Sequence, residues 1–471
     1  MNLEDIAVGL DIGTTKVVAI VAQKSTEGRI KVLGVGQAPS TGVLRGVVTN
    51  IAQTSDAIVK AIQMAEGQAG ISISDLVVGI AGQHIRSIQH SDYITRDEPD
   101  EIIDQKDLHK LINNVHKLVM IPGEEIIHVL PQVYKVDAET GIKEPIGMFG
   151  SRLEASFHIV VGKINSISNI GSCVKRAGLK VTGLTLEPLA SAEACLSSDD
   201  KEAGVVLVDI GGGTTDVAIF KDGIIQHTAV IPFGGEIITE DIKNALLIIR
   251  KQAELLKIKF GSAWPGENKE NEIVSIPGLR GQDPKEISLK DLSKIIYSRV
   301  LEIIDLIYLE IKNYGFEDRS KKLIAGIVLT GGGSQLKHIQ QLVKYETGMD
   351  VRIGYPQERV EADQANQLSN PIYSTAVGLA LRATELKEEE KILRIAAQRK
   401  AELQLQQQEE LTVQQNSSPE DSKIDEIEDK TQEVEKEETF IFEEKGQKTS
   451  YFDRWASKFM TFLQGDDEDE R

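Results

Sequence analysis

Val205–Asp216 reads VVLVDIGGGTTD, and what this stretch does decides the fold. The β-branched run from Val205 to Val208 has the composition of a buried strand, and it delivers Asp209 to the point where the chain breaks into Gly211, Gly212 and Gly213. Three successive glycines let backbone N–H groups close around an anion with no Cβ in the way. The hydroxyls of Thr214 and Thr215 add donors, while Asp209 and Asp216 can hold a cation directly or through water. That is the chemistry of phosphate with magnesium. A tight glycine turn in an ordinary hairpin has the same local sequence, so the loop alone leaves both readings open.

Working outward, the same pattern occurs near the start of the chain. Ile6 to Leu10 is strand-like, Asp11, Ile12, Gly13, Thr14, Thr15 and Lys16 follow, and Val17 to Ala22 reads as a second strand. A strand, an Asp-Ile-Gly break, a threonine pair and a returning strand thus appear twice, with Asp11 standing 198 positions before Asp209. A chance glycine turn does not repeat in this way, and two such hairpins facing each other could grip a polyphosphate from both sides.

Between the hairpins, Asn50–Ala69 has helical periodicity and Asp75–Ala81 reads as a strand. From about Gln83 to Ile159 the character becomes polar, with a helix expected over Lys106–Val119 and strands over Ile126–Val136 and Arg152–Val161, which together describe a small inserted module. Asn165–Ala177 is a helix candidate and Lys180–Leu186 a strand. Glu187 then stands before Pro188 at the head of a small-residue helix, where a carboxylate caps the helix or orients a water. After the central loop, Glu236–Phe260 reads as one long helix on which Glu254 and Lys257 share a face, their ordinary alternative being a surface ion pair. Gly261–Pro284 is linker-like, with a strand at Glu272–Ile276. A helix from Ser288 to Asn313 follows, then a buried strand at Leu323–Leu329. The latter leads into Gly331, Gly332, Gly333 and Ser334, a turn able to approach a flat ligand closely before the helix expected over Leu336–Thr347. Pro371–Leu386 forms a further helix rich in small residues.

Composition narrows the classes. A chain of 471 residues exceeds one ordinary core, and a net charge of −20 argues against a general nucleic-acid partner. Cys173 and Cys195 are too few for a disulfide framework and lack metal-ligand spacing, so a reducing compartment is expected. No signal segment or membrane-spanning run is evident, which predicts a soluble, cytoplasmic chain unless it is anchored peripherally.

The tail supplies such an anchor. Lys387–Lys448 carries 10 basic and 18 acidic residues with few apolar ones, which predicts disorder for much of it beyond a helical start at Lys387–Leu411. Then Tyr451, Phe452, Trp455, Phe459, Met460, Phe462 and Leu463 recur at helical spacing, with Ser450 and Asp453 as a cap and Gly465 as a stop. Arg454 and Lys458 can reach anionic headgroups while the aromatics enter the acyl boundary. Docking on the protein's own core is the competing reading, made harder by the acidic linker. The terminal run Asp466–Glu470 weakens electrostatic attraction to lipid, so one helix is a marginal anchor that polymerisation would multiply.

The paired loops Asp11–Lys16 and Asp209–Asp216, Glu187 at a helix start and Gly331–Ser334, in that order, look like the nucleotide site of the actin, sugar-kinase and heat-shock-chaperone superfamily. Within the insert, His128, Val129, Leu130, Pro131 and Gln132, Gly141 and Ile142, then Gly147, Met148, Gly150, Arg152, Leu153 and Glu154 resemble the FtsA family of bacterial cell-division proteins. The resemblance implies an α/β, actin-like fold of two duplicated ribonuclease H-like domains with a small inserted α+β subdomain, a disordered linker and a C-terminal amphipathic helix. The expected first core is 1–82, 160–202 and 368–386, with 83–159 as the protomer-contact insert. The second is 203–233 and 301–367, with 234–300 as a small subdomain on the adenine and FtsZ-tail side. Residues 387–448 form the linker, 449–465 the membrane helix and 466–471 the acidic end.

The same resemblance implies that Asp11, Gly13, Thr14, Thr15 and Lys16, with Asp209, Gly211, Gly212, Gly213, Thr214 and Thr215, bind the phosphates of ATP. Asp11 and Asp209 would hold Mg²⁺ through water. Gly331, Gly332, Gly333 and Ser334 would line the adenosine, Glu254 and Lys257 match the family's purine and ribose contacts, Gly235 and Glu236 would also bind the cofactor, and Glu187 occupies the water-polarising position. Implied partners are the C-terminal peptide of FtsZ, met at Arg299 and Glu302, further copies of the chain in filaments, later division proteins, and the cytoplasmic face of the membrane at the division site. Membrane contact falls to Tyr451, Phe452, Arg454, Trp455, Lys458, Phe459, Phe462 and Leu463. At most weak ATP hydrolysis is implied. A sugar-kinase-type phosphotransferase shares the two loops but offers no role for the tail, and a chaperone ATPase would carry a folded peptide-binding domain there.

Overall fold

The computed structural model describes residues 5–25, 28–269, 271–278, 283–316, 322–361 and 367–416. The expected membrane helix, Tyr451–Leu463, lies outside them.

Each glycine loop joins the first two strands of a five-stranded sheet. In the first half, β1 (Ile6–Ile12), β2 (Lys16–Lys24) and β3 (Ile30–Pro39) form an antiparallel meander. A short hairpin, β4 (Val43–Leu44) and β5 (Val47–Val48), and helix α1 (Ile51–Ala69) lead to β6 (Asp75–Ile80), which runs parallel to β1. The insert comes next: β7 (Ile85–Thr95), α2 (Gln105–His116), β8 (Glu124–Val136), β9 (Glu139–Ile142) and β10 (Arg152–Lys163), forming a separate sheet in the order β7-β10-β8-β9. Helix α3 (Ile164–Arg176) returns the chain to β11 (Lys180–Leu186), parallel to β6, and α4 (Glu187–Cys195) and α5 (Ser198–Ala203) follow.

The second half repeats the scheme. β12 (Val205–Ile210), β13 (Thr215–Lys221) and β14 (Ile224–Ile231) form the meander. The insertion here is α6 (Gly235–Leu246), α7 (Arg250–Phe260) and the ribbon β15 (Ile273–Ile276) and β16 (Lys285–Ser288). Helix α8 (Leu289–Tyr314) leads to β17 (Gly326–Thr330), and α9 (Ile339–Thr347) to β18 (Val351–Ile353). The sheet orders β11-β6-β1-β2-β3 and β14-β13-β12-β17-β18 are the same topology, so the repeated loop is the local sign of a duplicated domain. The two insertions enter at different steps: after β6 in one copy, after β14 in the other.

Burial follows from this layering. Every residue of the central strands β1 and β12 is buried, as both faces of each sheet are covered. Leu10, Val78 and Leu184 pack with Ile58, Ala61 and Val174 from α1 and α3. In the other half, Val206, Ile219 and Leu329 pack with Ile242, Leu256, Ile296 and Ile303 from α6, α7 and α8. A third core joins the halves, where Val18, Ile20, Leu207 and Ala218 meet Ala192 of α4 and Ala376, Val377 and Ala380 of the terminal helix Ser374–Asn416. Fully burying such a Val, Leu or Ile contributes about 1.5–3 kcal/mol. A second compact unit begins at Glu385, within that helix.

The insert has its own core around Phe157, Leu111 and Ile159, and polar bonds tie its sheet to both halves. The Ser87 hydroxyl donates to the Thr228 carbonyl on β14 at 2.8 Å, His158 Nε2 meets Thr228 Oγ1 at 2.9 Å, and Gln132 Nε2 donates to the Ile225 carbonyl at 2.8 Å. On the other side the Leu186 N–H, one residue before Glu187, donates to His128 Nε2 at 2.9 Å. Burial lowers the His158 pKa to about 4 and that of His128 to about 3, so both rings are neutral at physiological pH.

Two local expectations change. The stretch Glu236–Phe260 is two helices, because Leu247 adopts a left-handed conformation (φ 50°) and folds α7 back along α6. Gly332–Gln335 forms a 3-10 turn, so α9 starts at Ile339 and the glycines do not sit directly at its N-terminus. The helical start expected at Lys387–Leu411 is present and continues to Asn416, and the rest of the expected linker lies outside the described residues.

Candidate functional site: a cleft between two glycine loops

The two hairpin turns meet face to face. A Cβ placed on Gly212 would lie 2.4 Å from Thr15 Cγ2, and one on Gly213 would lie 2.5 Å from Thr14 Oγ1. The second loop is braced by the start of α6, where the Gly235 and Glu236 N–H groups donate to the Gly211 and Gly212 carbonyls at 2.9 and 2.8 Å. Thr215 Oγ1 donates to the Phe233 carbonyl at 2.8 Å, fixing the loop's exit. The structure thus brings Thr15 against Gly212 and Thr14 against Gly213, while Gly13 and Gly211 face only residues of their own loops.

Acidic groups gather beside this junction. Asp209 accepts hydrogen bonds from Ser191 Oγ at 2.7 Å and Thr375 Oγ1 at 3.1 Å, so α4 and the terminal helix both fix its rotamer. Asp216 Oδ2 accepts from Thr214 Oγ1 at 3.2 Å, whereas its Oδ1 is buried with no hydrogen-bond partner among the described residues. Burial raises the carboxyls of Asp11 and Asp209, and pushes that of Asp216 up to about 8 with added repulsion from Asp209. Glu187 is held well above the usual range by burial and by Asp11, Asp216 and Asp209 together. It is the first residue of α4 and makes no side-chain cap bond; a Cβ on Gly79 would lie 3.0 Å from its Cγ, so it packs over β6 instead of closing the helix end.

Clustered carboxyls that raise one another are relieved by a cation, and the unpartnered Asp216 oxygen fits one. Among the described residues no group of three or more His, Cys, Asp or Glu side chains could hold a metal ion directly, so a cation here suits water-mediated contact.

A pH dependence follows. Asp216 has a folded pKa of about 8 against an ordinary 3.8, so between these values the folded state holds a proton that the unfolded state releases. Stability is therefore full below about pH 4 as regards this group and falls as pH rises toward 8. Thermal melts of the ligand-free protein from pH 5 to pH 8.5 are expected to drop by several degrees on this account, and Asp216→Asn to flatten the slope. A slope unchanged in that variant contradicts the assignment.

The residues expected to line a nucleoside come from separate elements. Because α7 folds back on α6, Lys257 Nζ donates to the Gly235 carbonyl and Thr239 Oγ1, both at 2.8 Å, and pairs with Glu254 at 2.8 Å. Glu254 also accepts from Thr239 Oγ1. Glu236 instead pairs with Arg250 at 2.8 Å. Gly331, at φ 79°, crosses β12 so closely that a Cβ would lie 2.2 Å from Asp209 Oδ1, and Ser334 Oγ donates back to the Gly331 carbonyl at 2.7 Å. Lys16 reaches the Ile372 carbonyl, lies 3.8 Å from Asp11 and stands 5.2 Å over the Tyr373 ring. Arg299 and Glu302 pair with each other on α8, and Arg299 also pairs with Asp241 at 2.6 Å and lies 6.0 Å from the centre of the Phe233 ring.

The sequence reading missed Ser191 and Thr375 as the groups that orient Asp209. The only signal was their place in small-residue helices.

The sequence matches known families. A family model described as cell division protein FtsA matches residues 206–378, and one described as the SHS2 domain inserted in FtsA matches 82–161. Cell division protein FtsA of Pseudomonas aeruginosa is 40% identical over 375 residues, covering 79% of this chain and 88% of that protein. This chain belongs to the FtsA family. FtsA of Escherichia coli is 34% identical over 378 residues, covering 79% of the chain and 89% of the relative. Among solved structures, a PilM–PilN type IV pilus biogenesis complex aligns with a TM-score of 0.57 at 16% identity, over 80% of this chain and 98% of that one. The fold is actin-like, and the protein is a member of a cell-division family with the SHS2 insert. No helix among the described residues is long and apolar enough to cross a membrane.

Proposed function

We propose that the chain binds ATP with Mg²⁺ in the cleft, polymerises on the cytoplasmic face of the membrane and anchors FtsZ filaments there, helping to assemble the division ring and recruit later division proteins. The observation that carries this is the meeting of the two glycine loops beside the cluster of Asp11, Asp209, Asp216 and Glu187. Backbone N–H groups and threonine hydroxyls of the loops would take the phosphates, and Asp11 and Asp209 the hydrated cation. The cation would supply charge neutralisation between phosphates and carboxylates. Gly235, Glu254, Lys257 and Gly331–Ser334 would take the nucleoside, and Glu187 would orient a water for slow hydrolysis. Bound nucleotide touching both domains would hold them in one relative orientation, which suits control of a polymer better than turnover.

For the FtsZ tail, Arg299 and Glu302 remain the proposed contacts. Arg299 would have to exchange Asp241 for a peptide carboxylate, and exposed Leu247, Leu255 and Ile258 on the same small subdomain supply apolar surface. At the membrane, Tyr451, Phe452, Trp455, Phe459, Phe462 and Leu463 would insert, flanked by Arg454 and Lys458. The decisive experiment is reconstitution on anionic vesicles with ATP and an FtsZ tail peptide, comparing the full chain with one ending at Lys448. Recruitment of the peptide by the full chain alone supports the proposal, and equal recruitment by both removes the anchor. Trp455→Glu is expected to lose vesicle co-sedimentation at least tenfold while keeping its ATP affinity; retained co-sedimentation sinks the membrane helix.

A further inference from the structure

Outside the residues already assigned, the β4–β5 hairpin has a feature that its sequence does not need for folding. Its two-residue turn is Arg45–Gly46, with φ of 50° and 72°. Such a turn favours asparagine, aspartate or glycine in its first position, because a larger L-residue is strained there. An arginine kept at a strained position calls for a reason. The hairpin is firmly held, since Val43 and Val48 are buried in the first core while Leu44 and Arg45 are exposed.

Its tip touches both glycine loops. The Gly46 N–H donates to Thr14 Oγ1 at 3.2 Å, and a Cβ on Gly213 would lie 2.9 Å from Arg45 Cα and 3.0 Å from Arg45 N. Behind it, a Cβ on Gly46 would lie 2.8 Å from Gly82 Cα, so the turn is wedged between the loops and the root of the insert. The other cations of the cleft are engaged: Lys16 by Asp11 and the Ile372 carbonyl, Lys257 by Glu254, Thr239 and the Gly235 carbonyl. Among the described residues the Arg45 guanidinium has neither hydrogen bond nor ion pair.

Gly331 abuts Asp209 at the root of the second loop, whereas the hairpin abuts Thr14 and Gly213 at the tips. A nucleotide whose base lies on the Gly331 side therefore ends its phosphate chain beside Arg45. We infer that Arg45 binds the terminal phosphate of a nucleoside triphosphate and makes this cleft discriminate ATP from ADP. The inference rests on the nucleotide reading proposed above. A guanidinium offers a planar fork that matches phosphate oxygens, and a contact made to the last phosphate alone is lost on going to the diphosphate.

The test uses the full chain with Mg²⁺, titrated calorimetrically with ATP and with ADP, in the wild type and in Arg45→Gly and Arg45→Lys. Glycine removes the guanidinium and at the same time suits the positive φ, so a melting temperature at or above that of the wild type shows the hairpin intact. Arg45→Gly is expected to weaken ATP about 10- to 100-fold and ADP less than about twofold, with Arg45→Lys between. An unchanged ATP-to-ADP preference, or equal losses for both nucleotides, overturns the inference and leaves the cleft reading standing. Failure of the wild type to bind either nucleotide overturns both.

Discussion

Gly212→Asp is expected to abolish ATP binding while leaving the protein folded. Position 212 is where the two loops touch, and any side chain there begins 2.4 Å from Thr15 Cγ2, so Thr15 must turn away from the cleft. The added carboxylate then joins Asp11, Asp209, Asp216 and Glu187, whose carboxyls burial already raises, with repulsion from neighbouring carboxylates added at Asp11, Asp216 and Glu187. A charge about 5 Å from a phosphate, at an effective dielectric of about 20, costs about 3 kcal/mol, or roughly a hundredfold in affinity. Titration calorimetry beside far-UV circular dichroism checks this. Unchanged affinity in the folded variant would move the nucleotide site away from these loops.

Gly378→Val is expected to be the most destabilising single change in the third core. A Cβ at this position would sit 1.8 Å from the Ala190 carbonyl oxygen and 2.3 Å from its carbon, so the terminal helix and α4 pack backbone on backbone. Neither helix can move away freely. Ala192 and Ala376 beside the contact are fully buried, and Thr375 and Ser191 on the same two helices hold Asp209. Overpacking at a rigid backbone contact costs about 3 kcal/mol or more, which for domains of this size lowers Tm by about 6–12 °C. Loss of the Asp209 hydrogen bonds would carry the damage into the cleft, so nucleotide affinity should fall with stability. A melting curve within 2 °C of the wild type would refute the close packing, by roughly the Tm scale just given.

The contrast between these two positions shows where sequence is informative. Gly212 stands in a run of three glycines between an aspartate and a threonine pair, and its significance is legible because the pattern recurs at Asp11–Lys16. Gly378 lies in a stretch of small residues that reads only as helix, and nothing in it names α4 as the neighbour. Arg45 is less legible still: its left-handed backbone and its place between the loops are products of the fold.

By itself the sequence determined the local strands, the duplicated loop, the insert and the order of the helices, since burial periodicity, glycine breaks and capping residues act over a few neighbours. Asn50 capping α1 through the Gln53 N–H and Ser288 capping α8 through the Asp291 N–H are of this kind. Only the tertiary structure decided that the two loops face each other, that Leu247 folds Glu254 and Lys257 onto Thr239, and that Ser191 and Thr375 converge on Asp209. These contacts join segments 15 to 199 positions apart, Thr239 to Glu254 at one extreme and Gly213 to Thr14 at the other. No local propensity encodes such pairings. They arise when two sheets of identical topology bury their facing sides against the same pair of helices, which places the turn after β1 opposite the turn after β12.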